Sequence, residues 1–509
     1  MVFLTLFYNY SFFKNVLKIY PFHIDNLWFL ISVVFIFVAL NILIFTILSS
    51  RYTTKPILII TFLVSSLASY FMNSYNIVIN DEMIRNLMQT NIDESFDLIT
   101  LKEIFYFIVF GVLPSIFIYK ADIDYQSFKK EMWTKIKVIV MSIAIIAGLI
   151  FTFSKYYSSF FRTHKPLRFS ANPTFWMYSV GKYVNSTINS RKVVVKSLGL
   201  DAKIEKRDRK KLVIMVVGEA ARADHFSLNG YENETNPLLK KQNIINLSNV
   251  SSCGTSTAKS VPCMFSFFTK ENFSHKKGIT NENILDVLKH TKDIDILWRD
   301  NNSDSKGVAL RVEHHGYKDE GNNTICDTEC RDEGMLVGLD KYVQEREDKD
   351  ILIVLHQMGN HGPAYYKRYP KKFEKFKPVC KTNQLEHCTK KEINNAYDNA
   401  ILYTDYFLNK TINFLKNYET TYDTTLLYFS DHGESLGENG IYLHGLPYIM
   451  APEAQTHIGA LMWFGKGVNK KRHQIKDDKF SHDNLFHTLL GLFKVQTSLY
   501  DKSLDILKD

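Results

Sequence analysis

Four apolar stretches crowd the first third of the chain: Leu27–Leu48, Ile57–Ile79, Ile104–Tyr119 and Ile136–Phe153. Each is nearly free of charge and long enough, or nearly so, to cross a hydrocarbon layer about 30 Å thick as a helix. Trp28, Tyr70, Tyr75, Tyr119, Trp133 and Tyr156 stand near their ends, where aromatic side chains anchor a span at the interface. A further stretch, Val2–Phe13, is apolar but too short to span, and no small-residue cleavage site of the signal-peptide kind follows it. The true start is expected upstream.

Loop charge orients these spans. Arg51 and Lys55 lie between the first two, and Lys120, Lys129, Lys130, Lys135 and Lys137 between the last two, so those loops face the cytoplasm. The loop from Asn80 to Thr100 carries Asp81, Glu82, Asp93, Glu94 and Asp97 and belongs outside, as does everything after Phe153. Cysteine usage agrees without sharing a residue with that reasoning. Cys253, Cys263, Cys326, Cys330, Cys380 and Cys388 all fall in the outer region as three close sequence pairs. An even count at short spacing reads as disulfides in an oxidising compartment, although six cysteines formally allow fifteen connectivities. A cysteine zinc site fits less well, since no pair has CxxC spacing.

The 62 Lys and Arg against 53 Asp and Glu call for an anionic partner, and a membrane surface suits them better than nucleic acid. No basic run is interleaved with aromatics as a nucleic-acid groove requires. Lys155–Phe169 mixes aromatic and basic residues in the manner of a segment lying in the headgroup layer, and Ser186–Lys211 reads as a charged connector. Beyond it, Leu212–Val217, Ile351–Leu355 and Thr425–Phe429 are continuous apolar runs expected as buried parallel strands. Asn283–His290 and Ile393–Lys416 carry helical periodicity between them, which predicts an α/β sheet covered on both faces. Its ligand site should lie past the carboxyl ends of the strands.

Metal-ligand chemistry stands at those ends. Glu219 follows the first run, Asp431 and His432 follow the last, and His356 and His361 close the middle one. One such residue is usually an Asx turn or a satisfied loop histidine, but several at neighbouring strand ends can build a zinc site with an open position. The segment SSCGTSTAKSVPCMF supplies hydroxyls for a nucleophile, and Thr257 is preferred because a helix is expected to start there, with N-terminal amides that favour a phosphate. Ser256, Thr255 and Ser260 stay open. A threonine hydroxyl is a poor nucleophile at neutral pH, and zinc can lower the pKa of a bound oxygen acid by several units.

VVGEAARADHFSLNGYE, SSCGTSTAKSVPCMF, LWRDNNSDSKG, LHQMGNHGPAYYKRYP and SDHGESLGENGIYLHGLP occur in this order. Together with YPFHIDNLWF and FFRTHKPLR in and near the membrane part, they resemble the lipid A phosphoethanolamine transferases, including the mobilised colistin resistance enzymes, of the alkaline phosphatase and sulfatase superfamily. The resemblance implies a transmembrane helical bundle of about five spans over residues 1–154, a bridging segment over 155–210 and a periplasmic α/β catalytic domain over 211–509 with a central, mostly parallel sheet. It implies that Glu219, Thr257, Asp431 and His432 hold a catalytic zinc, with a second zinc possible, and that Thr257 carries a phosphoethanolamine intermediate. His361 and His444 would surround the substrate phosphate or a second zinc and act as acid and base, and Lys306 would bind an anionic group. Asn86, Thr90 and Glu94 match the family's ethanolamine-side contacts. Two departures from the family's pattern are expected: its usual chain has five spans, against which this sequence reads as starting inside the first, and Cys326 and Cys330 are closer together than the corresponding cysteines in some relatives.

The implied reaction moves phosphoethanolamine from phosphatidylethanolamine to a lipid A phosphate on the outer side of a bacterial inner membrane, by a monomer, lowering surface charge and weakening polymyxin binding. The alternatives are a lipopolysaccharide core sugar or a protein as acceptor, a glycerol-phosphate transferase, or an inactive membrane-anchored binding protein. A sulfatase is disfavoured, since no CxPxR-type motif surrounds Thr257 or Cys263. A transporter is disfavoured by the absence of repeated halves.

Overall fold

The structure is a computed structural model and describes residues 1–89, 99–190, 194–205, 207–466 and 478–508. The chain forms two compact units, Met1–Ile84 with Ile99–Tyr183, and Arg85–Leu98 with Val184–Asp509.

In the first unit, four of the described helices are long and apolar enough to cross a membrane: Ile24–Leu48, Thr54–Tyr75, Leu101–Lys120 and Phe128–Thr152. The second ends four residues before the expected Ile79, because Asn76 takes a left-handed conformation (φ +54°) that caps the helix. The fourth starts eight residues before the expected Ile136, so Lys129, Lys130 and Lys135 lie on its opening turns and not in the preceding loop. Lysine is a good helix former whose long stem lets the charge reach the interface, and Lys135 sits 3.8 Å from Glu131 one turn earlier. Val2–Phe13 is not one element: helices Val2–Phe7 and Tyr10–Ile19 are separated at Tyr8 and Asn9. The interfacial stretch folds as a helix, Ser154–Thr163, and a 3-10 turn, Lys165–Ser170; a further helix, Thr174–Ser190, occupies the start of the expected connector.

The second unit is built on a seven-stranded sheet: β1 Lys210–Gly218, β2 Ile244–Asn246, β3 Ile294–Asp300, β4 Glu313–Gly316, β5 Asp350–His356, β6 Tyr422–Ser430 and β7 Ala460–Phe464. Their spatial order is β2-β7-β6-β1-β5-β3-β4. The five strands from β6 to β4 are parallel, and β7 runs against both its neighbours.

Side chains of β1 alternate between two cores, because successive residues of a strand point to opposite faces. Val213, Met215 and Val217 pack with Val261, Leu285 and Leu489 on one face. Leu212, Ile214 and Val216 pack with Ile393, Ile401 and Leu408 of the helix Lys390–Lys416 on the other. All six β1 side chains are fully buried, and each such aliphatic side chain contributes about 1.5–3 kcal/mol. Burial on both faces is why the strand reads as an unbroken apolar run.

The register sets what meets at the carboxyl edge. Gly218 pairs with Ser430, Val217 with His356, and His356 with Asp300, so the residues that follow β1, β6, β5 and β3 emerge side by side.

Candidate metal centre and nucleophile

Glu219 leaves β1 and Asp431 and His432 leave β6, and all three side chains are fully buried. One oxygen of each carboxylate lies 3.4 Å from His432 Nε2: Glu219 Oε1 and Asp431 Oδ2. The backbone holds this arrangement. Asp431 Oδ1 accepts from the amides of Ala220 (3.1 Å) and His432 (2.7 Å), which leaves Oδ2, with no hydrogen-bond donor, aimed at the cluster. His432 Nδ1 lies 2.8 Å from the Gly433 carbonyl, an acceptor only, so Nδ1 carries the proton and Nε2 presents a lone pair. Burial pushes this imidazole below its ordinary pKa, against the pull of Asp431. Gly433 admits no side chain, since a Cβ there would stand 2.1 Å from the Ala454 carbonyl. Ala220 takes φ +54°, a strained conformation for a residue with a Cβ, at the turn that delivers Glu219.

Thr257 is the first residue of the helix Thr257–Met264, and Ser256 is its N-cap. Its Oγ1 donates to Glu219 Oε2 at 3.1 Å and lies 3.4 Å from His432 Nε2. The neighbouring hydroxyls are engaged elsewhere: Thr255 Oγ1 donates to the Leu446 carbonyl (2.6 Å), and Ser260 Oγ to the Asp431 carbonyl. Ser256 Oγ is buried without a hydrogen bond. The Cys253–Cys263 disulfide closes the loop that carries Thr257, and Cys326–Cys330 and Cys380–Cys388 are the other two bridges.

Two buried carboxylates and a neutral imidazole within 4.8 Å of one another repel unless a cation lies among them. Two carboxylate oxygens, one imidazole nitrogen and a hydroxyl suit zinc, which takes N and O ligands in a four-coordinate shell. His432, Glu434 and His444 form a second group of possible ligands. His432 has only one nitrogen that can accept a cation, so a second cation would rest on Glu434 and His444. Glu434 Oε2 lies 2.7 Å from His444 Nδ1, and Glu434 Oε1 accepts from Tyr365 Oη at 2.7 Å. The rings form a row, His432 to His444 at 4.2 Å and His444 to His361 at 5.8 Å. His361 and His444 therefore stand beside the cluster.

His356 does not join it. It ends β5 fully buried, with Nδ1 2.9 Å from Asp300 Oδ2. Burial works to raise the Asp300 carboxyl, but the His356 imidazole and the Trp298 and Asn302 donors outweigh it and hold the group at about 2. Lys306, in a left-handed conformation (φ +51°), is buried and donates to the Ser303 carbonyl (2.7 Å) and hydroxyl (2.6 Å) and to the Gln89 carbonyl (3.4 Å). Asn86 lies on the helix Asp81–Gln89; Thr90 and Glu94 lie outside the described residues.

Sequence reasoning passed over three supports. Asn302 Nδ2 donates to Glu219 Oε2 (2.9 Å) and to the Gln357 carbonyl (2.8 Å). Glu434 orients His444, and His482 ties the Thr257 loop to β6. Asn302 follows β3, whose sequence IDILWRD is broken by charge and so does not read as a buried run. Glu434 is the one most open to inspection, since it lies two residues after His432.

The sulfatase family model matches residues 211–495, and a second family model, phosphoethanolamine transferase EptA/EptB, matches residues 37–188. Phosphatidylethanolamine transferase Mcr-1 of Escherichia coli is 44% identical over 97% of this chain and 93% of its own length. The integral membrane lipooligosaccharide phosphoethanolamine transferase A (EptA) of Neisseria meningitidis superposes with a TM-score of 0.94 at 32% identity, over 100% of this chain and 97% of that one. The C-terminal periplasmic domain of phosphoethanolamine transferase EptC from Campylobacter jejuni matches with a TM-score of 0.56 at 44% identity, over 62% of this chain and 98% of that domain. With four helices among the described residues long and apolar enough to cross a membrane, a sulfatase-type α/β unit and relatives matched over nearly their whole length, the chain belongs to the phosphoethanolamine transferase family.

Proposed function

We propose that the protein moves phosphoethanolamine from phosphatidylethanolamine to a phosphate of lipid A at the outer face of a bacterial inner membrane, in two steps through Thr257. The observation that carries this is the position of Thr257 Oγ1, 3.1 Å from Glu219 Oε2 and 3.4 Å from His432 Nε2 at the start of a helix. Homology to enzymes named for phosphatidylethanolamine and phosphoethanolamine transfer supports donor and group.

Glu219, Asp431, His432 and the Thr257 hydroxyl would hold zinc, which supplies Lewis acidity and neutralises phosphoryl charge. The Thr257 hydroxyl gives up its proton toward Glu219 Oε2, and its oxygen attacks the donor phosphorus. The bond from phosphorus to the glycerol oxygen breaks, and that oxygen leaves as diacylglycerol after taking a proton from His444 or His361. Glu434 holds His444 for this role by its Nδ1, leaving Nε2 to exchange the proton. In the second step an acceptor phosphate oxygen gives its proton to His444 or His361 and attacks the same phosphorus, the bond to Thr257 breaks, and the threonine oxygen takes back the proton held by Glu219. Lys306 offers charge to an anionic group, and Asn86, Thr90 and Glu94 are assigned to the ethanolamine side. The protein works as a monomer in this scheme.

Incubation of the purified full chain with fluorescent phosphatidylethanolamine should release labelled diacylglycerol and leave a phosphoethanolamine mass on the peptide containing Thr257. An adduct that survives Thr257→Ala would refute the nucleophile, and lipid A mass spectra unchanged by expression of the protein would move the acceptor elsewhere.

A further inference from the structure

Thr100, the N-cap of the span Leu101–Lys120, stands three residues before Glu103 and six before Tyr106, which puts the three on one side of the helix. The outer two settle where that face points. Thr100 Oγ1 lies 2.8 Å from Tyr70 Oη, and Tyr106 Oη lies 3.0 Å from Ser69 Oγ, so the face packs on the span Thr54–Tyr75. Glu103 lies between Thr100 and Tyr106 along the chain, and its amide donates to Thr100 Oγ1 at 3.0 Å. It is only 8% exposed, whereas Leu101, Ile104 and Phe105 of the same turns are 80%, 44% and 68% exposed. Its Oε2 is buried with no hydrogen-bond partner, and among the described residues no lysine, arginine or histidine pairs with it.

A carboxylate in such a place is strongly destabilising unless something supplies a proton or a positive charge. An ionisable residue inside a span is rare enough to mark a ligand or ion path. Glu103 lies on the first turn of its span, at the end that the acidic Asn80–Thr100 loop assigns to the outside, which is the level of the phospholipid head groups. The hydroxyl oxygens of Thr100 and Tyr70 are close by in the same helix contact, and Tyr70 and Tyr106 bring aromatic rings 5.9 Å apart. A carboxylate, hydroxyl acceptors and aromatic faces are what a primary ammonium needs, since it has three N–H donors and a compact charge.

We propose that Glu103 is the anionic element of a binding site in the membrane unit for the primary ammonium of a phospholipid head group, separate from the Thr257 centre. It rests on phosphatidylethanolamine being the donor, which such a site would recruit from the outer leaflet. The ammonium donates one N–H to Glu103 Oε2 and has the Tyr70 and Thr100 oxygens as further acceptors.

The test uses the full chain in nanodiscs and follows diacylglycerol release from fluorescent phosphatidylethanolamine, beside native mass spectrometry of bound phosphatidylethanolamine against phosphatidylglycerol. Glu103→Gln keeps shape and removes charge. It should raise KM tenfold or more with kcat within twofold, and abolish the preference for the amine-bearing lipid. Glu103→Asp should recover part of both. A glutamine variant equal to wild type in KM and lipid preference would overturn the proposal, because glutamine then reproduces a carboxyl that is merely protonated. If the glutamine variant does not fold, Glu103→Asp and Glu103→Ala decide: equal KM values for the two overturn the site. No diacylglycerol release by wild type is a failure of the donor assignment, and loss of lipid preference in the mass spectra remains readable without it.

Discussion

His482 Nε2 donates to the Ser430 carbonyl at 2.9 Å. The other nitrogen of the ring, Nδ1, accepts from the Cys253 amide at 3.1 Å. One buried imidazole thus clamps the end of β6, one residue before Asp431, to the loop that carries Thr257. The two bonds coexist only in the neutral tautomer, because protonation would keep the Nε2 donor but turn Nδ1 into a donor facing an N–H.

Burial pushes His482 down to about 4, whereas the unfolded chain titrates near 6.5. Between those values the unfolded chain binds a proton that the folded one does not, so stability falls as pH drops through that window and is fully present above it. The loss should be on the order of 3 kcal/mol. His482→Gln should flatten the dependence; thermal unfolding of the full chain in detergent between pH 7 and pH 4 measures it, and equal slopes for the two proteins would remove His482 as its source.

Asn302→Ala should weaken metal retention and turnover together. Its amide holds the Glu219 oxygen that also accepts from Thr257, and loss of such an outer partner typically lowers metal affinity or activity 10–100-fold. Zinc content after graded chelation, read by mass spectrometry of the intact protein, reports it. Unaltered retention would mean that backbone geometry alone positions Glu219.

Gly433→Ala should disturb the centre without touching a ligand. The added methyl has no room beside the Ala454 carbonyl, and the Gly433 carbonyl is what fixes the His432 tautomer. A destabilisation of about 1–3 kcal/mol is expected from such overpacking, with faster loss of zinc. Denaturant unfolding reads the first effect and zinc release to a chelator the second. Zinc release at the wild-type rate from the variant would show that the strain stops short of His432.

Removing the Cys253–Cys263 bridge by double alanine substitution should lower stability by about 2–4 kcal/mol and slow formation of the Thr257 adduct. The equivalent change at Cys380–Cys388 should lower stability and leave the adduct rate unchanged, because that bridge closes a different loop. Quenched-flow mass spectrometry of the adduct distinguishes the two; equal slowing in both variants would deny the first bridge its positioning role.

Much of this was readable from local pattern. Spans Ile24–Leu48 and Leu101–Lys120 follow from hydropathy, since lipid demands apolar side chains on a helix of sufficient length. Strands β1, β5 and β6 follow from runs that are apolar on both faces. Span ends were less legible: Tyr75 and Phe128 are set by a left-handed Asn76 and by lysines able to extend a helix, and mean hydropathy reports neither a cap nor helix propensity.

Composition and periodicity alone thus determined a membrane unit, an α/β unit and a set of ligand-type residues at strand ends, because burial and the helix and strand periods act over a few residues. Only the tertiary structure decided which of those residues meet. Glu219 and Asp431 stand far apart along the chain, and they converge because Gly218 and Ser430 share a register in adjacent parallel strands. His356 occupies the next strand end but turns to Asp300, and Thr257 is singled out from its neighbouring hydroxyls by where each one donates. Sheet order and side-chain direction arise from contacts between distant segments, which a linear pattern does not contain.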